Sequence, residues 1–187
     1  VEKAARPVVH TFIATSPIHM EYKLKMTPDE VLEEAEGAVR FAKGLVERVE
    51  FSAEDSTRSE LPFLVKVVQA AVNAGADVIN LPDTVGYTTP SEIQSMFEHI
   101  IENVDNADHV IFSCHNHNDL GLAVANALAA IRGGARQVEC TVNGIGERAG
   151  NTSLEEVVMA LKTRNDVMPY ETGINNVELA KSSMILS

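Results

Sequence analysis

The chain has 187 residues, of which 45% are hydrophobic and 22% charged, and its formal net charge is −12. This composition excludes a disordered or fibrous chain and fits one globular domain with a sizeable core. The sequence lacks a Lys/Arg-rich block, an apolar run of roughly 20 residues and the apolar stretch of a signal peptide, so it predicts a cytoplasmic protein that binds neither nucleic acid nor a membrane.

Five strand-like runs follow one another along the chain. They are separated by roughly 30 residues, which is the size of a βα unit. Short β-rich runs that alternate with longer segments of helical period predict a parallel sheet covered by helices. The runs begin near Val8, Arg48, Ala76, His109 and Gln137.

Amphipathic helices are predicted between these strands. Apolar residues within 31–46 line one helical face, and those within 64–72 line another. Thr27 and Thr89 each precede a proline and are followed three residues later by glutamate, which is the spacing of a capping box at a helix start. Gly75 is placed to end the second of these helices.

Polar side chains cluster after nearly every predicted strand. An open doubly wound sheet needs such residues only where its strand order reverses, whereas a barrel brings the carboxyl ends of all its strands to one mouth. The sequence therefore predicts an α/β fold of the TIM (β/α)8 barrel type. Because 187 residues hold about six units of this size, we expect 1–187 to form a single partial catalytic barrel domain that lacks about the first two βα units.

Both ends of the sequence favour an excerpt from a longer chain. The segment 1–6 is typical of the end of a helix, and 178–187 stops within a helical pattern. A partial barrel exposes two sheet edges, so we expect the chain to form a homodimer, to exchange segments or to belong to a larger protein. The isolated piece is expected to have little or no activity.

His115 and His117 lie two residues apart at the end of the fourth strand-like run. Strand alternation places both imidazoles on one side, where they offer two nitrogen ligands to one divalent cation, with Asn118 and Asp119 to orient the rings. A surface or helix-capping role for the histidines is the alternative. Asn151, one strand further along, is a candidate third ligand, and it is equally well placed to cap the helix that follows it.

Three other segments carry candidate functional residues. Glu54 follows the second strand, where a carboxylate near a metal can act as a general base, unless it is solvated while Asp55 or Ser56 caps the next helix. Thr84 lies in a Pro-Asp-Thr-Val-Gly turn and is placed to satisfy backbone groups. The segment 144–149 matches GxGxxA, which supports a weaker, dinucleotide-binding interpretation.

The segments HNHNDLGLAVAN and NGIGERAGN, together with VEFSAEDSTRSE, resemble the family of acetyl-CoA-dependent 2-oxo acid condensing enzymes. This family includes homocitrate and citramalate synthases and is more distantly related to hydroxymethylglutaryl-CoA lyase. ATSPIHMEYKLKM and LPDTVGY point to its 2-isopropylmalate synthase branch. The resemblance extends through virtually the whole chain.

The resemblance implies a Claisen condensation of acetyl-CoA with 3-methyl-2-oxobutanoate, which gives 2-isopropylmalate and CoA at the first committed step of leucine synthesis. It implies a divalent cation, Mn²⁺, Zn²⁺ or Mg²⁺, with His115 and His117 as ligands and Asn151 as a direct or water-mediated ligand. Glu54 matches the essential glutamate of the family. His10, Ser52 and Thr84 match residues that bind the 2-oxo acid.

Two parts of the family's pattern are missing from this sequence. The Arg-Asp-Gly-x-Gln motif of the first strand supplies a further metal ligand and a catalytic arginine, and the regions beyond the barrel supply a histidine from the partner subunit and a leucine-binding domain. For Arg148 we expect structural pairing rather than catalysis. The alternatives that remain are another condensing enzyme of the family, a lyase that cleaves the equivalent bond, and a dinucleotide-binding or structural domain.

Overall fold

The computed structural model describes residues 3–187. Val1 and Glu2, part of the segment predicted to end a helix, lie outside these residues. Residues 3–6 form a turn and a bend rather than a helix, so that prediction is wrong for the part of the segment that is described. Within 3–187, no helix combines the length and the apolar character needed to cross a membrane.

Strands and helices alternate along the chain as predicted. The strands are β1 (Val8–Ala14), β2 (Arg48–Glu54), β3 (Val78–Asp83), β4 (Ile111–Asn116) and β5 (Gln137–Glu139). The helices are α1 (Pro17–His19), α2 (Pro28–Lys43), α3 (Leu61–Asn73), α4 (Pro90–Asn103), α5 (Ala123–Arg132), α6 (Leu154–Thr163) and α7 (Leu179–Leu186). A π-helical turn spans Met20–Leu24, and short 3-10 helices span Ser56–Arg58, Ala107–His109, Val142–Gly144 and Asn176–Glu178.

The five strands that lie within 3–187 form one parallel sheet in the order β1-β2-β3-β4-β5. A doubly wound sheet reverses its strand order at a switch point, whereas consecutive strands stay neighbours in a barrel. The observed order therefore agrees with an arc of a barrel. In the described part of the chain, β1 and β5 each pair with one neighbour only, which agrees with the two open edges expected of a partial barrel.

The two faces of the sheet differ in character, and β2 illustrates the difference. Val49, Phe51 and Ala53 point to one side and are fully buried in the apolar core formed with the helices. Ser52 and Glu54 alternate with them and line a pocket on the opposite face. Because side chains alternate along a strand, the same seven residues supply both the core and the site.

The predicted helix starts are confirmed in atomic detail. The backbone N–H of Thr27 donates to the Glu30 carboxylate at 2.7 Å, and the Glu30 N–H donates to the Thr27 hydroxyl at 3.3 Å. A capping box also forms at Thr89, whose N–H donates to the Glu92 carboxylate at 2.9 Å. These reciprocal bonds satisfy amide groups that the first helical turn leaves free.

Two strands begin later than the sequence predicted, and β5 ends earlier. Asp77 lies just before β3: its N–H donates to the Val49 carbonyl at 2.9 Å, and its carboxylate accepts a hydrogen bond from the Val49 N–H at 2.7 Å and pairs with Lys43. His109 belongs to a 3-10 helix rather than to β4. β5 ends at Glu139, after which the chain turns away toward the loop before α6.

Candidate functional site

A small pocket of about 190 Å³ opens at the carboxyl ends of the strands. It gathers residues from all five strands and the turn after β3, although they are widely separated in the chain. Six of the seven site residues predicted from the sequence line this one pocket, so their convergence, as expected of a barrel mouth, is observed. They are His10, Ser52, Glu54, Thr84, His115 and His117, and Phe12, Asn80, Pro82 and Glu139 complete the lining.

The two histidines of β4 and its extension form the centre of the site. The Nε2 atoms of His115 and His117 are 3.4 Å apart, and their rings meet edge to face. Two ligands of a tetrahedral Zn²⁺, each at roughly 2.1 Å from the ion, are themselves about 3.4 Å apart. The placement of both imidazoles on one side, which the sequence predicted, is confirmed.

Each histidine ring is oriented by a hydrogen bond at its other nitrogen. Nδ1 of His115 lies 2.7 Å from the Glu139 carboxylate, and Nδ1 of His117 lies 2.7 Å from the Thr84 carbonyl oxygen. Both partners are acceptors, so each ring carries its proton on Nδ1 and leaves Nε2 free to bind a cation. The site thus offers two neutral nitrogen ligands with fixed orientation.

The residues expected to orient these rings are not the ones that do so. Asn118 accepts a hydrogen bond from the Ala123 N–H at 3.1 Å, at the start of α5. Asp119 pairs with Arg148, whose guanidinium holds the pKa of Asp119 below its usual range. Neither Asn118 nor Asp119 contacts a histidine ring directly, because the turn after His117 directs both side chains to other partners.

Asn151 lies beside the histidine pair without lining the pocket. Its backbone forms an isolated antiparallel bridge with His117. Its Nδ2 donates to the Ile145 carbonyl at 3.1 Å, while its Oδ1 is buried and has no hydrogen-bond partner among the described residues. A buried oxygen without a partner fits a ligand, direct or through water, as the sequence suggested. The capping alternative is wrong, since Ser153 precedes α6.

Glu54 ends β2, and its side chain is 20% exposed. Both of its oxygens contact the Lys23 ammonium, at 2.5 and 2.8 Å, and Nδ1 of His19 lies 3.9 Å away. The alternative of a solvated Glu54 is therefore wrong. Asp55 does not cap a helix either, because its buried carboxylate accepts two hydrogen bonds from Arg58.

The floor of the pocket is a short polar chain. Nε2 of His10 lies 2.7 Å from the Ser52 hydroxyl, which also accepts a hydrogen bond from Asn80 at 2.8 Å. These two bonds fix the position of the Ser52 hydroxyl beside the His10 ring. Ser52 and Asn80 are buried at 5% and 2% exposure, whereas His10 is exposed toward the pocket.

Thr84 connects the two halves of the site. Its hydroxyl accepts a hydrogen bond from the Asp55 N–H at 2.9 Å, next to Glu54, and its carbonyl accepts hydrogen bonds from His117 and Arg148. Thr84 satisfies backbone groups, as the turn sequence indicated. The bond from Asp55 also leaves its hydroxyl proton free to be donated into the pocket.

Two carboxyl groups face each other on the same side of the sheet. Glu50 and Glu139 approach within 4.8 Å of one another and of His10. Burial, and then the neighbouring Glu139, raises the pKa of Glu50 to about 7. Burial opposes ionisation of Glu139 as well, but the hydrogen bond with His115 lowers its pKa. Below about pH 7 the pair therefore favours a proton on Glu50, and His115 faces the Glu139 carboxylate.

This carboxyl pair makes stability depend on pH. Between about pH 4.5 and 7 the folded chain retains a proton on Glu50 that the unfolded chain has lost, so the free energy of unfolding falls as pH rises. Glu50→Gln keeps the shape without the charge. We expect it to flatten this dependence and to add about 1–2 kcal/mol at pH 8, because one pKa unit corresponds to about 1.4 kcal/mol and partial exposure reduces the effect.

Urea unfolding at pH 5 and pH 8 measures this difference. Glu47→Gln is the matched control, since Glu47 is an exposed glutamate three residues before Glu50. Equal pH dependence in the wild type and Glu50→Gln would contradict the assignment of the proton to Glu50.

The glycine-rich segment before α6 serves its own loop rather than a dinucleotide. A Cβ at Gly150 would lie 2.2 Å from the Gly144 carbonyl oxygen, and one at Gly146 would lie 2.4 Å from Nδ2 of Asn151. The helix begins only at Leu154, so the glycines do not present a helix start to a phosphate. The GxGxxA interpretation is not supported. Arg148 forms structural pairs, as expected.

Glu139 is the main functional residue that sequence reasoning missed. It lies on β5 directly beside His115, since the β4–β5 register pairs these two residues. A signal was present in the sequence: a glutamate two residues after Gln137, in an otherwise apolar strand, marks a face that is not packed in the core. Lys23 was missed as well, because it is far from Glu54 in the sequence and no motif links the two residues.

Comparison with known proteins places these observations in a family. Residues 1–185 match the family model described as HMGL-like. The chain is 57% identical over 187 residues to 2-isopropylmalate synthase of Shouchella clausii and 58% identical over 187 residues to that of Aquifex aeolicus. Each alignment covers all of this chain but only 36% of the relative. The chain therefore spans about a third of the length of these curated relatives.

Solved structures resemble the chain in fold. A hydroxymethylglutaryl-CoA lyase from Pseudomonas aeruginosa superposes with a TM-score of 0.79 at 19% identity, over 96% of this chain and 61% of that one. The carboxyl transferase domain of Rhizobium etli pyruvate carboxylase gives 0.66 at 18% identity, over 81% of this chain and 25% of that one. With the consecutive parallel strand order, these likenesses confirm the predicted α/β fold, a TIM-type barrel present in part.

Proposed function

The chain belongs to the HMGL-like family, and from this membership we propose that it carries the catalytic barrel of a 2-isopropylmalate synthase. The proposed reaction is the condensation of acetyl-CoA with 3-methyl-2-oxobutanoate to give 2-isopropylmalate and CoA, a step of leucine biosynthesis. The names of relatives 56–58% identical over nearly all of the chain support this choice within the family.

One observation carries the chemistry. The histidine pair, with Nε2 atoms 3.4 Å apart, opens into the same pocket as the Glu54 carboxylate. A condensation of this kind needs an electrophilic centre that polarises a ketone and, close to it, a group that handles the proton of a weak carbon acid. The pocket brings both together.

A divalent cation fits the residues present. His115 and His117 would hold it through Nε2, and Asn151 through its unpartnered Oδ1 or a bridging water. When bound, such a cation polarises the ketone of the 2-oxo acid and balances the charge that develops on its oxygen. Imidazole ligands favour Zn²⁺, and the amide and carboxyl oxygens nearby also suit Mn²⁺ or Mg²⁺.

The other pocket residues bind substrate and move protons. Thr84 donates its free hydroxyl proton to the substrate carboxylate, and His10, held by Ser52, lines the same side. Glu54 orders the proton transfer that removes one proton from the acetyl methyl group. The methyl carbon then bonds to C2 of the 2-oxo acid as the C2–O π bond breaks, and the resulting alkoxide takes up a proton. Water cleaves the thioester to a carboxylate and CoA as a free thiol.

Three further properties belong to this proposal. The substrates of the whole protein are acetyl-CoA and a 2-oxo acid, the assembly is a homodimer and the location is cytoplasmic. The open edges of β1 and β5 in the described residues need a covering partner, which is either the rest of the barrel or a second copy of the chain.

The test is thiol release from acetyl-CoA by the protein at its full natural length. The assay is run with 3-methyl-2-oxobutanoate, 2-oxoglutarate and pyruvate, each with and without EDTA. We expect release with the first acid, and loss of release on treatment with EDTA followed by recovery with Zn²⁺ or Mn²⁺. This pattern follows from a cation site that depends on two neutral ligands.

The other outcomes overturn the proposal in distinct ways. Preference for 2-oxoglutarate or pyruvate would assign the chain to another condensing enzyme of the same chemistry. Release that EDTA does not affect would remove the histidine pair from the mechanism. If no acid supports release, cleavage of hydroxymethylglutaryl-CoA, assayed by acetyl-CoA formation, would identify a lyase.

A further inference from the structure

The Thr84 carbonyl oxygen receives two hydrogen bonds from different parts of the chain. Nδ1 of His117 lies 2.7 Å from it, and Nη2 of Arg148 donates to it at 2.9 Å. This carbonyl is the group that sets the orientation and the tautomer of the His117 ring. Any residue that fixes the position of the carbonyl therefore also fixes the Nε2 atom that faces the pocket.

Arg148 is itself held in place by an acidic partner. Its Nε donates to one oxygen of Asp119 at 2.7 Å and its Nη2 to the other at 2.8 Å, a bidentate arrangement. Arg148 adopts a φ of 56°, in the left-handed region that non-glycine residues rarely occupy. Because Asp119 follows His117 by two residues, the guanidinium joins the turn after β3 to the segment that carries the site histidine.

Close packing of the two segments supports this connection independently. Gly86, at the end of the turn that begins with Asp83, has a φ of +66°. A Cβ at this position would lie 2.3 Å from an oxygen of Asp119 and 3.0 Å from the backbone carbon of His117. The turn therefore lies directly against residues 117–119, with no room for a side chain between them.

The other side of the turn is anchored to the segment that directly follows β2. The Asp55 N–H donates to the Thr84 hydroxyl at 2.9 Å, and the Thr57 hydroxyl donates to the Asp83 carboxylate at 3.1 Å. Thr84 is thus held between the end of β2, where Glu54 lies, and the Arg148–Asp119 pair. The latter side lies against the His117 segment, in addition to the backbone bond from the His117 N–H to the Asp83 carbonyl at 3.3 Å.

We propose that the Arg148–Asp119 pair is a positioning element of the cation site, which acts through the Thr84 carbonyl to keep the Nε2 atom of His117 bare and directed into the pocket. Neither residue lines the pocket, so both act without touching substrate. The proposal rests on the proposed function, because His117 must be a ligand for the pair to affect the cation. A surface ion pair without such a role would leave the site unchanged.

Arg148→Gln tests the proposal, and Arg164→Gln is its matched control. Arg164 forms a similar exposed pair with Asp166, at 3.0 and 3.2 Å, but does not contact the turn. We expect Arg148→Gln to weaken Zn²⁺ binding, measured by competition with a chromophoric chelator, by about tenfold, which is the lower end of the range for residues that orient a ligand. Arg164→Gln should bind as the wild type does.

A second readout needs neither metal nor activity. In ¹⁵N-histidine-labelled, metal-free protein, the His117 nitrogens report which one carries the proton. We expect the Nδ1–H form in the wild type and in Arg164→Gln, and a mixture of tautomers in Arg148→Gln. Arg148→Lys keeps the charge but loses the forked pair of donors. Its fraction of the Nδ1–H form should lie between those of the wild type and Arg148→Gln.

Each outcome decides the question. Wild-type Zn²⁺ affinity and an unchanged His117 tautomer in Arg148→Gln overturn the proposal. If Arg148→Gln does not fold, Asp119→Asn, which keeps the shape of the side chain, is judged by the same two measurements. If the wild type binds none of Zn²⁺, Mn²⁺ and Mg²⁺, the proposed function fails, whereas the histidine tautomer still decides whether the pair positions His117.

Discussion

His115→Gln is expected to weaken Zn²⁺ binding by more than about a hundredfold and to lower thiol release in parallel. The substitution removes one of the two Nε2 atoms that lie 3.4 Å apart, and one remaining nitrogen cannot hold the cation against water. The expected loss exceeds the roughly 10–100-fold effect of residues that only orient a ligand. Glutamine is chosen because its amide can still donate to Glu139, so the carboxylate is not left without a partner.

The matched control for this variant is His109→Gln. His109 lies just before β4, the strand that carries His115. It is largely exposed and contacts Asp108 rather than the pocket. We expect it to match the wild type in Zn²⁺ affinity and thiol release. If His115→Gln binds Zn²⁺ within about threefold of His109→Gln, the histidine pair is not the cation site, whatever its geometry.

Glu54→Gln is expected to lower the rate of thiol release by about 10²–10⁴, the range found for removal of a group that transfers protons. The amide has the size of the carboxylate but can no longer accept a proton from the acetyl methyl group. We expect Zn²⁺ affinity to stay at the wild-type level, because the carboxylate is held by Lys23 and not by a site histidine. Rate and affinity measured on the same preparations separate the two effects.

Lys23→Gln is the control that isolates the carboxylate. It removes the same ion pair, worth about 0.2–1 kcal/mol at an exposed position, and leaves Glu54 intact. If the ion pair alone mattered, the two variants would lose equal activity. An activity of Glu54→Gln above about a tenth of the wild-type rate would show that Glu54 does not act on a proton.

The fold was predictable from the sequence because its signals are local. The capping box at Thr27 needs only the residues up to Glu30, and the start of β2 needs only the apolar alternation that follows Arg48. The strand order was also accessible, since polar residues after every strand require the strand ends to meet. Strand ends were less accurate: β3 begins at Val78 rather than at Ala76, because the limits of a strand depend on its pairing with the neighbouring strands.

The candidate site was predictable where one segment carries the pattern. His115 and His117 stand two apart on a strand, and this spacing alone sets their rings side by side. Their orienting groups were not predictable in the same way. Glu139 reaches His115 only through the β4–β5 register, and the partner of His117 is the backbone carbonyl of Thr84, which leaves no trace in a sequence.

The alternation of β2 between core and pocket also bears on how such a site changes over evolutionary time. Val49, Phe51 and Ala53 are fixed by packing, whereas Ser52 and Glu54, between them, face the reaction. Substitutions at Ser52 and Glu54 therefore alter the pocket more than the packing, and those at Val49, Phe51 and Ala53 do the reverse. A lineage can explore new pocket chemistry at Ser52 and Glu54 while selection for stability acts on the residues that alternate with them.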